Sequence, residues 1–174
     1  MLRDSRKIFR LGKSLNEIDF IIDKITNELS FKITPSSLLE VMSKFGYLFY
    51  WLFDNLSILT KVKLLDLNHE KQVKLAMTSW FIGTFLSIIK ILYDLNTLIT
   101  FKQQQDPNKK DKNLDLKILN CYLNIIGKIG DLFPSGQGSG IITMLFGKPT
   151  SETSVGIGGF IAALVALRNA YRNC

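Results

Sequence analysis

Residues 6–25, RKIFRLGKSLNEIDFIIDKI, contain apolar residues that recur at alternating steps of three and four. At about 3.6 residues per helical turn, this spacing places them on one narrow stripe of a helix. Basic residues lie along one flank of that stripe. The apolar residues of this seam are Ile8, Leu11, Leu15, Ile18, Ile22 and Ile25. The pattern predicts an amphipathic helix whose seam faces either phospholipid or a neighbouring helix, and periodicity alone leaves both open.

The composition favours a single domain over residues 1–174 that contacts an anionic partner. Hydrophobic residues make up 47% of the chain, and its net charge is +7. Because the basic residues are spread among apolar runs, and no zinc-finger or RNP-type motif is present, an anionic phospholipid is favoured over nucleic acid. Cys121 and Cys174 lie in unlike settings, which predicts free thiols and not a disulfide framework.

Two long apolar segments follow the amphipathic stretch. A helix over residues 35–61, with Thr34 as its N-cap, carries the densest aromatic cluster of the chain. A third helix is predicted over residues 70–101, and its uncharged centre makes it the best candidate for a membrane span in the first two-thirds. Either segment could equally be a helix buried in a bundle. Asp54 and Lys90 are the charges predicted to lie within the membrane.

The last third of the chain alternates polar and apolar segments. Residues 102–113 predict a polar linker, a fourth helix is expected to end before Pro134, and residues 135–154 predict a glycine-rich connection. Residues 155–167, VGIGGFIAALVAL, form a final apolar helix in which small residues spaced four apart would let membrane helices approach closely. The predicted helix-packing residues are Gly156, Gly159, Ala163 and Ala166.

Together these segments predict an all-α, membrane-associated bundle of about five helices. An amphipathic helix forms its N-terminal part, and a hydrophobic helix rich in glycine and alanine forms its C-terminal part. An enzyme is not predicted, because the chain has one histidine and lacks metal-ligand spacing, a nucleophile–base arrangement and a phosphate loop. For the same reason we expect no cofactor and no metal site.

Several of these segments carry short motifs in a characteristic order. Residues 6–13, RKIFRLGK, resemble the signature of the peroxisomal biogenesis factor 11 (peroxin-11) family on its amphipathic helix. Residues 48–55, LFYWLFDN, are similar to the family's aromatic run that ends in Asp-Asn. The DLFP turn at residues 131–134 and the glycine-led final helix from Gly156 follow in the family's order. The resemblance therefore extends over about residues 3–171.

The resemblance implies a protein of the peroxisomal membrane that elongates peroxisomes before fission. In this family the basic amphipathic helix inserts into one leaflet and bends the membrane, and members self-associate. Carried over to this chain, the resemblance implies binding to anionic lipids, and homo-oligomerisation is expected. The residues to which it assigns membrane binding are Arg6, Ile8, Arg10, Leu11, Lys13, Leu15 and Ile18.

A second hypothesis is a non-catalytic accessory subunit of a large membrane complex, with the mitochondrial inner membrane and its respiratory assemblies as the alternative location. The opening residues 1–15, MLRDSRKIFRLGKSL, motivate it, because an arginine-rich amphipathic start is typical of mitochondrial presequences. The number of membrane spans and their topology stay open, since basic residues flank nearly every apolar run.

Overall fold

The computed structural model describes residues 13–26, 34–105 and 111–172, which are almost entirely helical. These residues form six helices and contain no strand, so the predicted all-α class is confirmed. The helices are α1 (Lys13–Lys24), α2 (Pro35–Lys61), α3 (His69–Gln104), α4 (Lys112–Ser139), α5 (Ile141–Phe146) and α6 (Glu152–Arg172).

Side-chain caps set the starts of the three longest helices. The Thr34 hydroxyl accepts a hydrogen bond from the backbone N–H of Ser37 at 3.1 Å, and Pro35 occupies the first turn of α2. The Asn68 side chain caps α3 by accepting from the N–H of Lys71 at 2.9 Å. Asp111 caps α4 in the same way, so each of these three starts follows from a local sequence signal.

The helices pack mainly on their neighbours in sequence. α1 lies on α2, α2 on α3, α3 on α4, and α4 on α6. Contacts between distant residues show that successive long helices run antiparallel: Ser36 meets Asp94 near the start of α2, whereas Tyr50 stacks on Trp80 further along it. The helices form an open bundle. Among the long helices, α2 packs mainly on α3, and α6 packs mainly on α4.

Close helix contacts are made by glycine. Gly46 of α2 faces Gly83 of α3 so closely that a Cβ on Gly46 would lie 2.5 Å from the Gly83 Cα. At the contact of α4 with α6, Gly130 faces Gly158, and a Cβ on Gly130 would collide with the Gly158 carbonyl oxygen. Small residues at both crossings let the helix backbones approach closely, as they do in membrane helix pairs.

The structure corrects the predicted end of the fourth helix. α4 continues through Pro134 to Ser139, and α5 and the start of α6 occupy further parts of the glycine-rich stretch 135–154. Proline normally ends a helix because it cannot donate to the carbonyl four residues earlier, which here is Gly130. That carbonyl lies against Gly158 of α6, 2.8 Å from where a Cβ would be. The Gly130 carbonyl, which receives no hydrogen bond from Pro134, is therefore packed against α6.

The predicted polar linker is narrower than residues 102–113. α3 extends into it as far as Gln104, and α4 begins at Lys112. Across this stretch the Lys102 ammonium lies 2.6 Å from the Asp115 carboxylate, which joins the end of α3 to the start of α4. Residues 106–110 lie outside the described residues.

Candidate membrane-binding surface

The seam of the amphipathic helix α1 faces away from the rest of the protein. Leu15 is 61% exposed and Ile18 is 37% exposed, and the same stripe continues through exposed Ile22 and Ile25. Among the predicted membrane-binding residues, Arg6, Ile8, Arg10 and Leu11 lie outside the described residues, and for Lys13 only the helical backbone is described.

A different side of α1 attaches it to α2. Lys24 forms an ion pair with Glu40, and Glu17 forms one with Lys44, both at 3.0 Å. The Lys44 ammonium also lies 4.5 Å from the centroid of the Phe20 ring. Near these contacts Ile21 is buried, with 5% of its surface exposed. At about 100° per residue, the centre of the attached side lies roughly 130° from the centre of the exposed seam.

The seam exposes apolar side chains to water, which is unfavourable, and contact with an apolar surface would remove that exposure. Covering a half-exposed Leu or Ile is worth roughly 0.8–1.5 kcal/mol, so the four described seam residues together offer about 3–6 kcal/mol. The two ion pairs that attach α1 are each worth about 1 kcal/mol or less. Contact of this seam with an apolar phase would therefore affect the position of α1 at least as strongly as its ion pairs with α2 do.

Apolar exposure extends well beyond α1. Only eight hydrophobic residues of the described chain are buried, whereas each of the long helices has several large apolar side chains that are exposed. α3 and α6 are long and apolar enough to cross a membrane, and few of their residues are buried. A soluble bundle would bury such helices, so these surfaces suit a lipid environment.

Two apolar surfaces were not singled out in the sequence. α2 exposes a stripe of apolar residues at helical spacing along its length. The sequence allowed this aromatic segment to be a fully buried helix, and the exposed stripe excludes that possibility. The stripe consists of Leu38, Met42, Phe45, Phe49 and Leu52. The short helix α5 also exposes Met144, Leu145 and Phe146, which are 87%, 67% and 75% exposed. The spacing of the α2 stripe was readable in the sequence, whereas its exposure depends on where α1 and α3 pack.

The two charges predicted to lie within the membrane, Lys90 and Asp54, are paired or buried. The Lys90 ammonium lies 2.8 Å from the carboxylate of Asp94 one turn later, and the Ser36 hydroxyl donates to the same carboxylate at 2.6 Å. This pairing lowers the cost of placing Lys90 in an apolar helix. Asp54 is 6% exposed, and the Ser57 hydroxyl donates to its backbone carbonyl at 2.7 Å.

The predicted helix-packing residues of α6 do not form its contact with α4. That contact is made by Gly158 and Ala162, which are buried against Gly130. A Cβ on Gly156 or Gly159 would meet open space, and Ala163 and Ala166 are exposed. Small residues spaced four apart occur in two registers along this apolar run. α6 packs on α4 through Gly158 and Ala162, which lie one position before the predicted Gly159 and Ala163.

The polar groups suited to catalysis or metal binding are dispersed. No group of three or more His, Cys, Asp or Glu residues within the described parts of the chain could hold a metal ion. His69 lies at the start of α3, where its Nδ1 is 3.0 Å from the Ser57 carbonyl oxygen. Cys121 is a free, partly exposed thiol on α4.

Comparisons with known proteins agree with a membrane assignment. The family model described as Peroxisomal biogenesis factor 11 (PEX11) matches residues 2–171. A curated protein of Dictyostelium discoideum, "Peroxisomal membrane protein 11 homolog", is 30% identical over 188 residues, which cover 92% of this chain and 71% of that protein. No solved structure matches the chain.

Proposed function

This chain belongs to the peroxisomal biogenesis factor 11 family, as a protein of the peroxisomal membrane, and we propose that it elongates that membrane before fission. In this proposal α1 inserts into one leaflet, and α3 and α6 anchor the chain. The single observation that carries the proposal is the exposed apolar seam of α1, represented by Leu15 and Ile18, on a helix held to α2 by its other side.

Insertion of α1 would bend the membrane by unequal expansion of its leaflets. An amphipathic helix that enters about 5–10 Å into one leaflet increases the area of that leaflet only. The basic residues Arg6, Arg10 and Lys13 would lie among anionic headgroups, each contributing about 1 kcal/mol near the surface. The energy of the seam and of these charges favours the same position, at the boundary between headgroups and acyl chains.

Reconstitution of the full chain into lipid vesicles tests this proposal. We expect tubules by electron microscopy when the vesicles contain an anionic phospholipid, and fewer tubules when they contain phosphatidylcholine alone, because the basic residues then lose their counter-charges. High salt should also shorten the tubules, since it screens exposed charges. Vesicles that stay spherical with every lipid composition would contradict the proposal.

We also propose that copies of this chain associate through the outer side of α6. Gly156, Gly159, Ala163 and Ala166 share one stripe of that helix and have no neighbour from α4 on it. Small side chains on a membrane-facing stripe allow a second helix to approach within van der Waals contact of the backbone. The stripe thus fits another copy of α6 better than it fits irregular acyl chains.

Enlarging one residue of this stripe should reduce association. We expect Gly159→Leu to lower chemical cross-linking of the membrane-embedded protein several-fold, because the leucine side chain separates the two helices. The matched control is Ile157→Phe, which enlarges an exposed side chain on another side of α6 and should leave cross-linking unchanged. Equal cross-linking by Gly159→Leu and wild type would exclude this stripe as the contact.

Neither comparison supports the alternative role as a subunit of a mitochondrial complex, and the peroxisomal membrane location replaces it. The family is one of peroxisome biogenesis factors, and we propose no catalytic activity for this chain.

A further inference from the structure

Two arginines near the end of α6 converge on one neutral acceptor. Both terminal nitrogens of Arg168 donate to the side-chain oxygen of Asn120 on α4, each at 3.2 Å. Arg172, one turn later, donates to the same oxygen at 2.6 Å. Beside them the Asn169 amide donates to the side-chain oxygen of Asn124 at 2.7 Å. The cluster therefore joins two guanidinium groups through an amide that carries no charge.

The positive charge of this cluster is not neutralised by the described residues. Within residues 13–26, 34–105 and 111–172, no carboxylate forms an ion pair with Arg168 or Arg172. The nearby basic residues Lys90 and Lys102 differ, since each has an acidic partner, at 2.8 Å and 2.6 Å. Like charges placed within reach of one atom repel, so the arginine pair is better satisfied by an additional anion.

An open polar pocket gives such an anion room. It has a volume of about 360 Å³ and is lined by Asn120, Asn124, Asn169 and Arg172. Guanidinium groups bind phosphate oxygens through paired N–H donors, and side-chain amides can supply further donors. Arg172 and the three asparagine side chains thus give the pocket the charge and the donor groups of a phosphate site, and Arg168 contributes its charge without lining the pocket.

The position of the cluster favours a phosphate that belongs to a lipid. Arg168 directly follows Leu167, the last residue of the apolar run of α6, so the cluster lies at one end of a candidate membrane span. Basic residues at such ends lie at the level of lipid headgroups. Asn120 also lines a second groove of about 610 Å³, which Tyr93 and Leu98 of α3 line as well. That groove could hold the start of an acyl chain.

We propose that Arg172 and the pocket's asparagine amides bind the phosphate of an anionic phospholipid between α4 and α6, while Arg168 holds Asn120 and adds its positive charge from beside the pocket. The groove that shares Asn120 receives part of the same lipid molecule. This site goes beyond the proposed membrane elongation and does not depend on it, because it lies on α4 and α6 and uses no residue of α1.

Native mass spectrometry of the full chain in detergent micelles tests the site. The probes are phosphatidic acid and phosphatidylcholine with identical acyl chains, and glycerol 3-phosphate as the headgroup without a lipid. We expect wild type to retain one phosphatidic acid, and Arg168→Gln/Arg172→Gln to bind it at least tenfold more weakly. The control Lys71→Gln/Lys74→Gln removes the same charge from exposed positions at the start of α3 and should bind as wild type does.

A second variant separates loss of the site from loss of the fold. Asn120→Asp places a carboxylate where both guanidinium groups already converge, so the protein should unfold at the same or a higher temperature while phosphatidic acid binding falls at least tenfold. Unchanged binding in both the double arginine variant and Asn120→Asp would overturn the proposal. Binding of glycerol 3-phosphate as tight as that of phosphatidic acid would overturn the assignment to lipid. If α1 variants lose tubulation but still retain one phosphatidic acid molecule, the proposed lipid site stands and the elongation mechanism fails.

Discussion

We expect Leu15→Glu to remove most of the membrane tubulation by the reconstituted chain and Asn16→Glu to leave it intact. Both residues are exposed on α1, are adjacent in sequence and gain the same charge, but they lie about 100° apart around the helix. Leu15 belongs to the apolar seam and Asn16 to the polar side. The comparison therefore isolates the side of α1 on which the charge is placed.

The expected size of this effect follows from two losses. Replacing Leu15 removes roughly 1–2 kcal/mol of apolar burial, and a carboxylate near the acyl chains adds a cost of about 1–2 kcal/mol even where it can reach the headgroups. A total of about 3 kcal/mol lowers the population of inserted α1 on the order of 100-fold. Both variants should remain in the membrane fraction, because α3 and α6 are unchanged. Equal tubulation by the two variants would show that the seam does not enter the bilayer.

Gly46→Ala should destabilise the protein by about 2–3 kcal/mol, an unusually large effect for the addition of one methyl group. The new Cβ would lie 2.5 Å from the Cα and 2.7 Å from the backbone nitrogen of Gly83, and 3.2 Å from the carbonyl oxygen of Ser79. These are backbone atoms of α3, so no side chain can rotate away and α2 and α3 must separate. Unfolding of the purified protein by a denaturing detergent measures the change.

Gly156→Ala provides the matched control for this substitution. Gly156 is also helical, but a Cβ there meets open space, so the variant should be as stable as wild type or up to about 1 kcal/mol more stable because alanine favours a helix over glycine. If Gly46→Ala resists unfolding as well as Gly156→Ala does, the close contact of α2 with α3 is not part of the folded protein.

The sequence predicted best those features that local signals determine. Thr34 and Pro35 mark the start of α2, which runs over Pro35–Lys61 as expected, and α3 at His69–Gln104 exceeds the predicted residues 70–101 by only a few positions. The exposed seam of α1 was one of two options that periodicity left open. The ion pairs of Glu17 and Lys24 attach α1 to α2 by another side and leave the seam exposed, and its contact with phospholipid stays a prediction.

Features that depend on a partner helix could not be predicted in the same way. Proline normally ends a helix, yet α4 continues through Pro134, where the carbonyl oxygen of Gly130 lies against Gly158 of α6. Gly136 and Gly138 belong to the predicted glycine-rich connection, yet both are helical, and a Cβ would collide with Ile142 at Gly136 and with Met77 at Gly138. Spacing identifies small residues, but the partner helix determines which of them are in contact.

The position of the α1 seam in the bilayer can be measured directly with spin labels on the full chain in anionic vesicles. Cys121→Ser and Cys174→Ser remove the native thiols, and Ile22→Cys and Asn16→Cys place one label on the seam or on the polar side. We predict that the label at position 22 collides with oxygen, which dissolves in acyl chains, and is protected from a water-soluble nickel complex, whereas the label at position 16 shows the reverse. Equal access of the nickel complex to both positions would contradict insertion of α1 into the membrane.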